Sequence, residues 1–350
     1  MPDPARILLI RCGALGDMVQ LSAVVGALAD HHGVPVDVLS SGGFSAACLT
    51  GMPGLGEQFS VKHRRRPGWL APDVRRLAAT LAARGYAHVY PFDRVPVVER
   101  ALAKAGAVVH NTEMPTTSIH ALDSYREQLV AVGVQAPALI HQRVVATAPE
   151  RAAAQALLAK HGLAGKRAIV IQAGNKRTLH FFARFRPGRD LKAWPTAYWV
   201  GAATSLATAH PDAAIVFAGA PPEWDLAEDI RQQLPAEIRQ RSANLARDLP
   251  VRTLAGLLAE ALGCLSVDTG PAHLAAALGC PLVVLFGPAD PLAMVPRGPG
   301  PVAMVRSGVA CSPCYGTMRR RTCRENICMR QISVAQVAQA WAELGLKPSA

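Results

Sequence analysis

Aromatic residues are scarce in this chain: Phe, Trp and Tyr make up 5% of its 350 residues. Nowhere do they interleave with basic residues to form the stacking platforms of single-strand nucleic-acid binders, so no nucleic-acid partner is expected. Long apolar runs are also missing. The longest, around residues 274–287, contains Pro281 and falls short of a bilayer span. The apolar core before Arg11 is too short for a signal peptide, so the expected location is cytoplasmic, at most peripheral to the inner membrane face. Acidic residues are few, 25 against 37 Lys and Arg, which leaves a net charge of +12. That surplus favours an anionic partner such as a phosphorylated substrate or an acidic membrane surface, although a generally basic solvated surface gives the same count. The dinucleotide fingerprint G-x-G-x-x-G and the Lys-Ser/Thr of a phosphate-binding loop are absent. No fixed-period repeat is found.

What is present is alternation. Short apolar runs such as "RILLIRC" (6–12), "RAIVIQAG" (167–174), "CLSVD" (264–268) and "PLVVLFG" (281–287) read as buried parallel strands. Between them lie segments of helical spacing, for example 18–32, 197–210 and 251–261. The fold class is therefore α/β, with two doubly wound Rossmann-like halves facing a cleft and ligands at the carboxyl ends of the strands. A Pro-punctuated, then helical, then Gly-broken stretch at 134–166 marks the boundary. The expected domains are residues 1–163, 164–331 and a terminal helical segment, 332–350.

Four polar constellations interrupt this pattern. In "RCGALGDMVQ", Gly13 and Gly16 follow a strand and open a helix, which lets backbone approach an anion. Asp17 sits in the first helical turn, as a capping group or as a general base at the strand end. In "RDLKAWP", Lys192 is a point charge for a diphosphate or a solvated loop lysine. In "VFAGAPPE", Glu223 follows a strand, where an acidic residue accepts from a ribose hydroxyl or complements a helix dipole. In "SVDTGPAHLAAALG", Asp268, Thr269, Gly270 and His273 crowd into one strand-to-helix turn. Pro271 suits the first helical position and the turn amides form an anion nest. Capping accounts for Asp268 or Thr269 but not for His273. Separately, Cys311, Cys314, Cys323 and Cys328 are spaced C-x₂-C-x₈-C-x₄-C, as in a structural zinc or iron site; reduced thiols and a disulfide remain alternatives.

In this order, "ILLIRCGALGDMVQ", "RDLKAWP", "VFAGAPPE", "SVDTGPAHLAAALGCPLVVLFGPADP" and "CSPC…CRENICM" resemble the glycosyltransferase family 9 heptosyltransferases, the ADP-heptose:lipopolysaccharide transferases of Gram-negative bacteria. The resemblance implies a GT-B fold whose last helix returns to the N-terminal domain. It also implies an inverting transfer of heptose from ADP-heptose to a lipopolysaccharide inner-core acceptor, with no metal required for the chemistry. By position it makes Asp17 the base, places Lys192 at the donor phosphates and Glu223 at the ribose or adenosine, and gives Asp268, Thr269, Gly270 and His273 the nucleotide–diphosphate turn.

An anionic acceptor suits the basic run of Lys62, Arg64, Arg65 and Arg66, with His120 and Arg126 as weaker candidates. The segment 175–190, with six basic residues, departs from the family spacing and leaves the acceptor open: a protein or another glycan is the alternative, as is a sugar-nucleotide-binding protein without turnover. Four-Cys fingers holding iron occur in the autotransporter-directed branch of the family.

Overall fold

The computed structural model describes residues 5–63, 70–112, 119–175 and 190–346. The chain divides into two compact units, 1–145 and 146–350.

The first unit runs β1 (Arg6–Ile10), α1 (Leu15–His32), β2 (Val36–Ser40), α2 (Phe44–Ala47), β3 (Leu55–Ser60), α3 (Pro72–Ala82), β4 (Tyr86–Pro91), α4 (Pro96–Lys104), β5 (Val108–Val109) and α5 (Ala121–Ala131). All its strands are parallel, in the order β3-β2-β1-β4-β5. A central parallel strand is covered on both faces, and "ILLI" of β1 accordingly has no exposed side chain after Arg6. Helix α1 ends at Gly33, whose φ of 68° is the left-handed cap conformation that glycine takes without strain. The sequence pattern misses β3, an edge strand whose exposed side chains, Glu57, Gln58 and Ser60, are polar and which has no apolar run to reveal it.

The second unit begins with α6 (Ala148–Lys160) and continues β6 (Ala168–Gln172), α7 (Thr196–Ala209), β7 (Ala214–Phe217), α8 (Trp224–Gln232), α9 (Ala236–Gln240), β8 (Ser242–Asn244), α10 (Val251–Glu260), β9 (Gly263–Val267) and α11 (Gly270–Ala277). It ends with β10 (Leu282–Leu285), α12 (Pro291–Met294), β11 (Val302–Val305), α13 (Met318–Thr322), α14 (Ile327–Arg330) and α15 (Val334–Glu343). Its parallel sheet has the order β11-β10-β9-β6-β7-β8.

Two expectations about the boundaries are corrected. The domain break falls at 145/146 rather than 163/164, because α6 packs on α10 within the second unit. Gly256 of α10 lies so close to α6 that a Cβ there would stand 2.2 Å from the carbonyl oxygen of Glu150. Arg252 clamps the Glu150 carboxylate with two bonds of 2.6 Å. The terminal helix α15, expected on the first unit, buries its apolar stripe in the second. Val337 and Trp341 join that core, and the Trp341 indole N–H meets His210 Nε2 at 3.0 Å.

Candidate functional site

In each sheet the strand order reverses beside one central strand. In the first unit this happens between β1 and β4, and in the second between β6 and β9. At such a switch point the loops at the strand ends part and leave a crevice. The polar constellations of the sequence lie at these two places.

In the first unit the loop after β1 carries Arg11, Gly13 and Gly16 and leads into Asp17. The Asp17 Oδ2 accepts from the Ala14 amide at 2.8 Å, and Oδ1 accepts from the Arg11 guanidinium at 3.1 Å. Gly13 is required here, since a Cβ on it would lie 2.2 Å from the Asp17 Cβ. Gly16 is partly buried in the first turn of α1. Asp17 thus complements the helix start, yet its side chain is 41% exposed and two of its four lone-pair sites remain open to a substrate. Arg11 also bonds Asp93, on the loop after β4, at 3.2 Å, and Asp93 accepts from the Cys12 amide at 2.8 Å. Burial works against the Arg11 charge, but Tyr125, Asp17 and Asp93 outweigh it and hold its pKa above the ordinary value. Sequence reading singled out neither Arg11 nor Asp93. Their signal is the strand-end position after β1 and β4, which becomes visible only once the two strands are paired.

In the second unit four adjacent strands, β10, β9, β6 and β7, deliver the site. The Lys192 ammonium donates to the Asp268 carboxylate at 2.5 Å and to the Asp268 carbonyl at 2.7 Å. Asp268 is buried, so its carboxylate serves as the counter-ion and anchor of Lys192 rather than as a helix cap. Thr269 takes the N-cap position of α11 with extended backbone, but its side chain makes no capping bond. Gly270 is partly buried at the start of the helix and His273 is buried one turn in. The Lys192 loop is held from below. Asp190 Oδ1 accepts from the Lys192 amide at 3.1 Å, and both carboxylate oxygens accept from the Asn175 side-chain nitrogen, at 2.8 and 3.0 Å.

Glu223 follows β7 and is buried. Its Oε2 accepts from the Ala220 amide at 2.6 Å and its Oε1 from Gln172 at 3.3 Å. Gly174 makes room for it, because a Cβ there would fall 2.1 Å from Oε1. Burial outweighs these hydrogen bonds and pushes the carboxyl up to about 7. The Gln172 Oε1 is buried without a partner among the described residues.

The remaining expected residues are placed as follows. Lys62 is exposed just past β3. Arg64, Arg65 and Arg66, and the basic stretch 176–189, lie outside the described residues. His120 is buried, and its Nδ1 accepts from the Leu122 amide at 3.2 Å, which caps the start of α5. Arg126 spends its Nε–H on the carbonyl of Pro137, at 2.8 Å, which ties the segment after α5 to the helix.

The four clustered cysteines are free. Among the described residues no three His, Cys, Asp or Glu side chains are gathered to hold a metal ion. The thiols feel one another's charge, and burial first and then these neighbours push Cys328 up to about 11. Cys328 lies in the second core, with its Sγ on the Asn326 side chain. The segment also embraces the Lys192 loop. Asn326 donates to the carbonyl of Ala193 at 2.8 Å, and the amides of Cys314 and Tyr315 both donate to the carbonyl of Pro288 at 2.9 Å.

Comparison with known proteins agrees with this geometry. The model of glycosyltransferase family 9 (heptosyltransferase) matches residues 104–325. Lipooligosaccharide heptosyltransferase 2 of Haemophilus influenzae is 33% identical over 110 residues, which is 31% of this chain and 31% of that protein. The matched stretch thus spans about a third of that curated relative's length. Among solved structures, a glycosyl transferase family 9 protein of Veillonella parvula superposes with a TM-score of 0.77 at 18% identity, over 98% of this chain and 97% of that one. The E. coli ADP-heptose lps heptosyltransferase II superposes with a TM-score of 0.72 at 18% identity, over 97% of this chain and 98% of that one. These neighbours place the two parallel-sheet units in the GT-B fold. Because the family model matches more than half of the residues, the chain belongs to glycosyltransferase family 9, the heptosyltransferases.

Proposed function

We propose that this chain is an inverting glycosyltransferase that moves heptose from ADP-heptose to an anionic lipopolysaccharide inner-core acceptor. The observation that carries the reading is the Lys192–Asp268 pair beside the uncapped start of α11, with Glu223 two strands away. A half-buried cation, a helix N-terminus and a carboxyl two strands away match the diphosphate and ribose of a sugar nucleotide.

In this reading an acceptor hydroxyl attacks the anomeric carbon from the face opposite ADP. The new C–O bond forms as the bond to the β-phosphate oxygen breaks, and the hydroxyl proton passes to Asp17. A positioned base contributes about 10²–10⁴-fold. Lys192, His273 and the amides at Thr269 and Gly270 meet the charge growing on departing ADP, so the chemistry needs no metal. Arg11 orients Asp17 through its bond to Oδ1. Lys62 and the basic run after it are the proposed acceptor side. The location in this reading is cytoplasmic, against the inner membrane face, and no described helix is long and apolar enough to cross a membrane.

Mass spectrometry of products from ADP-heptose and a panel of truncated core acceptors tests the reading. The expected result is an acceptor gaining one heptose, with Asp17→Ala abolishing turnover while ADP still binds. No consumption of ADP-heptose with any core acceptor defeats it. Product on a protein acceptor instead points to the autotransporter-directed alternative, and ADP binding without turnover points to a non-catalytic binder. Elemental analysis of the purified chain decides whether the four cysteines rearrange around zinc or iron.

A further inference from the structure

The donor site as described is short of positive charge. The Lys192 ammonium is matched by the Asp268 carboxylate at 2.5 Å, so the pair is close to neutral. The start of α11 adds roughly half a positive charge. A nucleoside-diphosphate sugar brings two negative charges, and the departing nucleoside diphosphate carries more. The described geometry contains a second cation at this place. The Tyr315 ring, 44% exposed, takes the Lys192 ammonium at 5.6 Å and the Arg320 guanidinium at 3.8 Å from its centroid. Among the described residues no carboxylate pairs with Arg320. A stacked guanidinium keeps its N–H edges free to donate, which an ammonium on the same ring would not do in a fixed direction.

The segment bearing these two residues is anchored on both sides of the site. The Tyr315 and Cys314 amides hold the Pro288 carbonyl beyond β10, and Ser312 donates to the Gly287 carbonyl at 2.5 Å. Asn326 then fastens the far end to the Lys192 loop through Ala193. Two anchors fix the strap, and with it the ring that Arg320 covers.

We propose that Arg320, seated on Tyr315, is a second cation of the donor site and binds the diphosphate of the sugar nucleotide alongside Lys192. The proposal rests on the donor-site reading above and deepens it. It assigns to the cysteine-spaced segment the task of placing a cation, whatever the state of its thiols.

Calorimetric titration of the full chain with ADP and with adenosine, without acceptor, tests it. Arg320→Ala should weaken ADP by about 10- to 100-fold, the range for a charge-assisted contact, and leave adenosine unchanged. Arg320→Lys should recover part of the loss. Tyr315→Leu should weaken ADP in the same direction, and Arg324→Ala, an exposed neighbour, should bind as the wild type does. If the wild type binds ADP and Arg320→Ala binds it equally, the proposal is overturned and the function stands. Equal loss of ADP and adenosine with a lowered Tm also overturns it, since that marks a structural role. If the wild type takes neither ADP nor ADP-heptose, the donor-site reading fails, and the proposal with it.

Discussion

Glu223 is the residue whose chemistry departs furthest from what its place in the chain suggests. A glutamate following a strand is ordinary; one walled in by Gly174 and held near neutrality is not. Its carboxyl titrates near 4.5 in the unfolded chain and about 7 when folded, so between these values the folded state binds more protons. Its stabilising contribution is complete below pH 4.5 and is lost as the pH rises through 7. Glu223→Gln should flatten the pH dependence of unfolding across that window and raise stability at pH 8, by on the order of 2–3 kcal/mol. Denaturant unfolding at pH 5 and pH 8 measures it. Asp17, Lys192, Glu223, Asp268 and His273 were legible as polar residues at strand-to-helix junctions. Their partners were not. Arg11 meets Asp93 across 82 positions and Lys192 meets Asp268 across 76, and no local pattern encodes such distances.

At the scale of elements, close packing decided what periodicity could not. Helix α6 reads as a solvated linker helix, because most of its side chains are exposed and only Ala154 and Leu158 are buried. Its attachment is made by backbone against Gly256 and by the Arg252–Glu150 clamp, both invisible to a count of apolar positions. Gly256→Ala should therefore force the two helices apart and destabilise the second unit by about 1–3 kcal/mol. The gain of roughly 1 kcal/mol that Ala has over Gly in a helix offsets only part of this. Urea unfolding followed through the tryptophans, all four described ones lying in the second unit, reads the change. The central strands were legible from their continuous apolar runs; β3 and β11 were not, because edge strands need cover on one side only.

For the whole molecule, the boundary at 145/146 gives a direct test. A fragment starting at 146 should fold and bind ADP, whereas one starting at 164 uncovers the α10 face that α6 protects and should aggregate or melt earlier. Circular dichroism melts of the two fragments distinguish these outcomes. One imidazole of the first unit should also give a pH dependence opposite in sign to that of Glu223. In the first unit His32 packs against His31 and His88, its Nε2 meets the Tyr90 hydroxyl at 2.9 Å, and His110 stacks on Tyr90. Burial first, and then the neighbouring imidazoles, lower His32 to about 4 from 6.5. Its contribution is complete above pH 6.5 and is lost as the pH falls toward 4, because the unfolded chain takes up a proton that the folded one refuses. Unfolding of His32→Asn at pH 7 and pH 4.5 should show a weaker acid dependence than the wild type.

The sequence by itself determined the α/β class, the two halves, and the junctions at which chemistry gathers. Apolar runs, glycines and helix starts are short-range features, and each leaves its mark within about ten residues. Only the tertiary structure decided which junctions become neighbours, that Asp268 anchors Lys192 instead of capping α11, that His120 caps α5, and that the cysteine-spaced segment carries Tyr315 and Arg320 to Lys192. Those outcomes depend on strand order and on backbone approach at single glycines. Both are set by how whole elements fill space rather than by the residues adjacent in the chain.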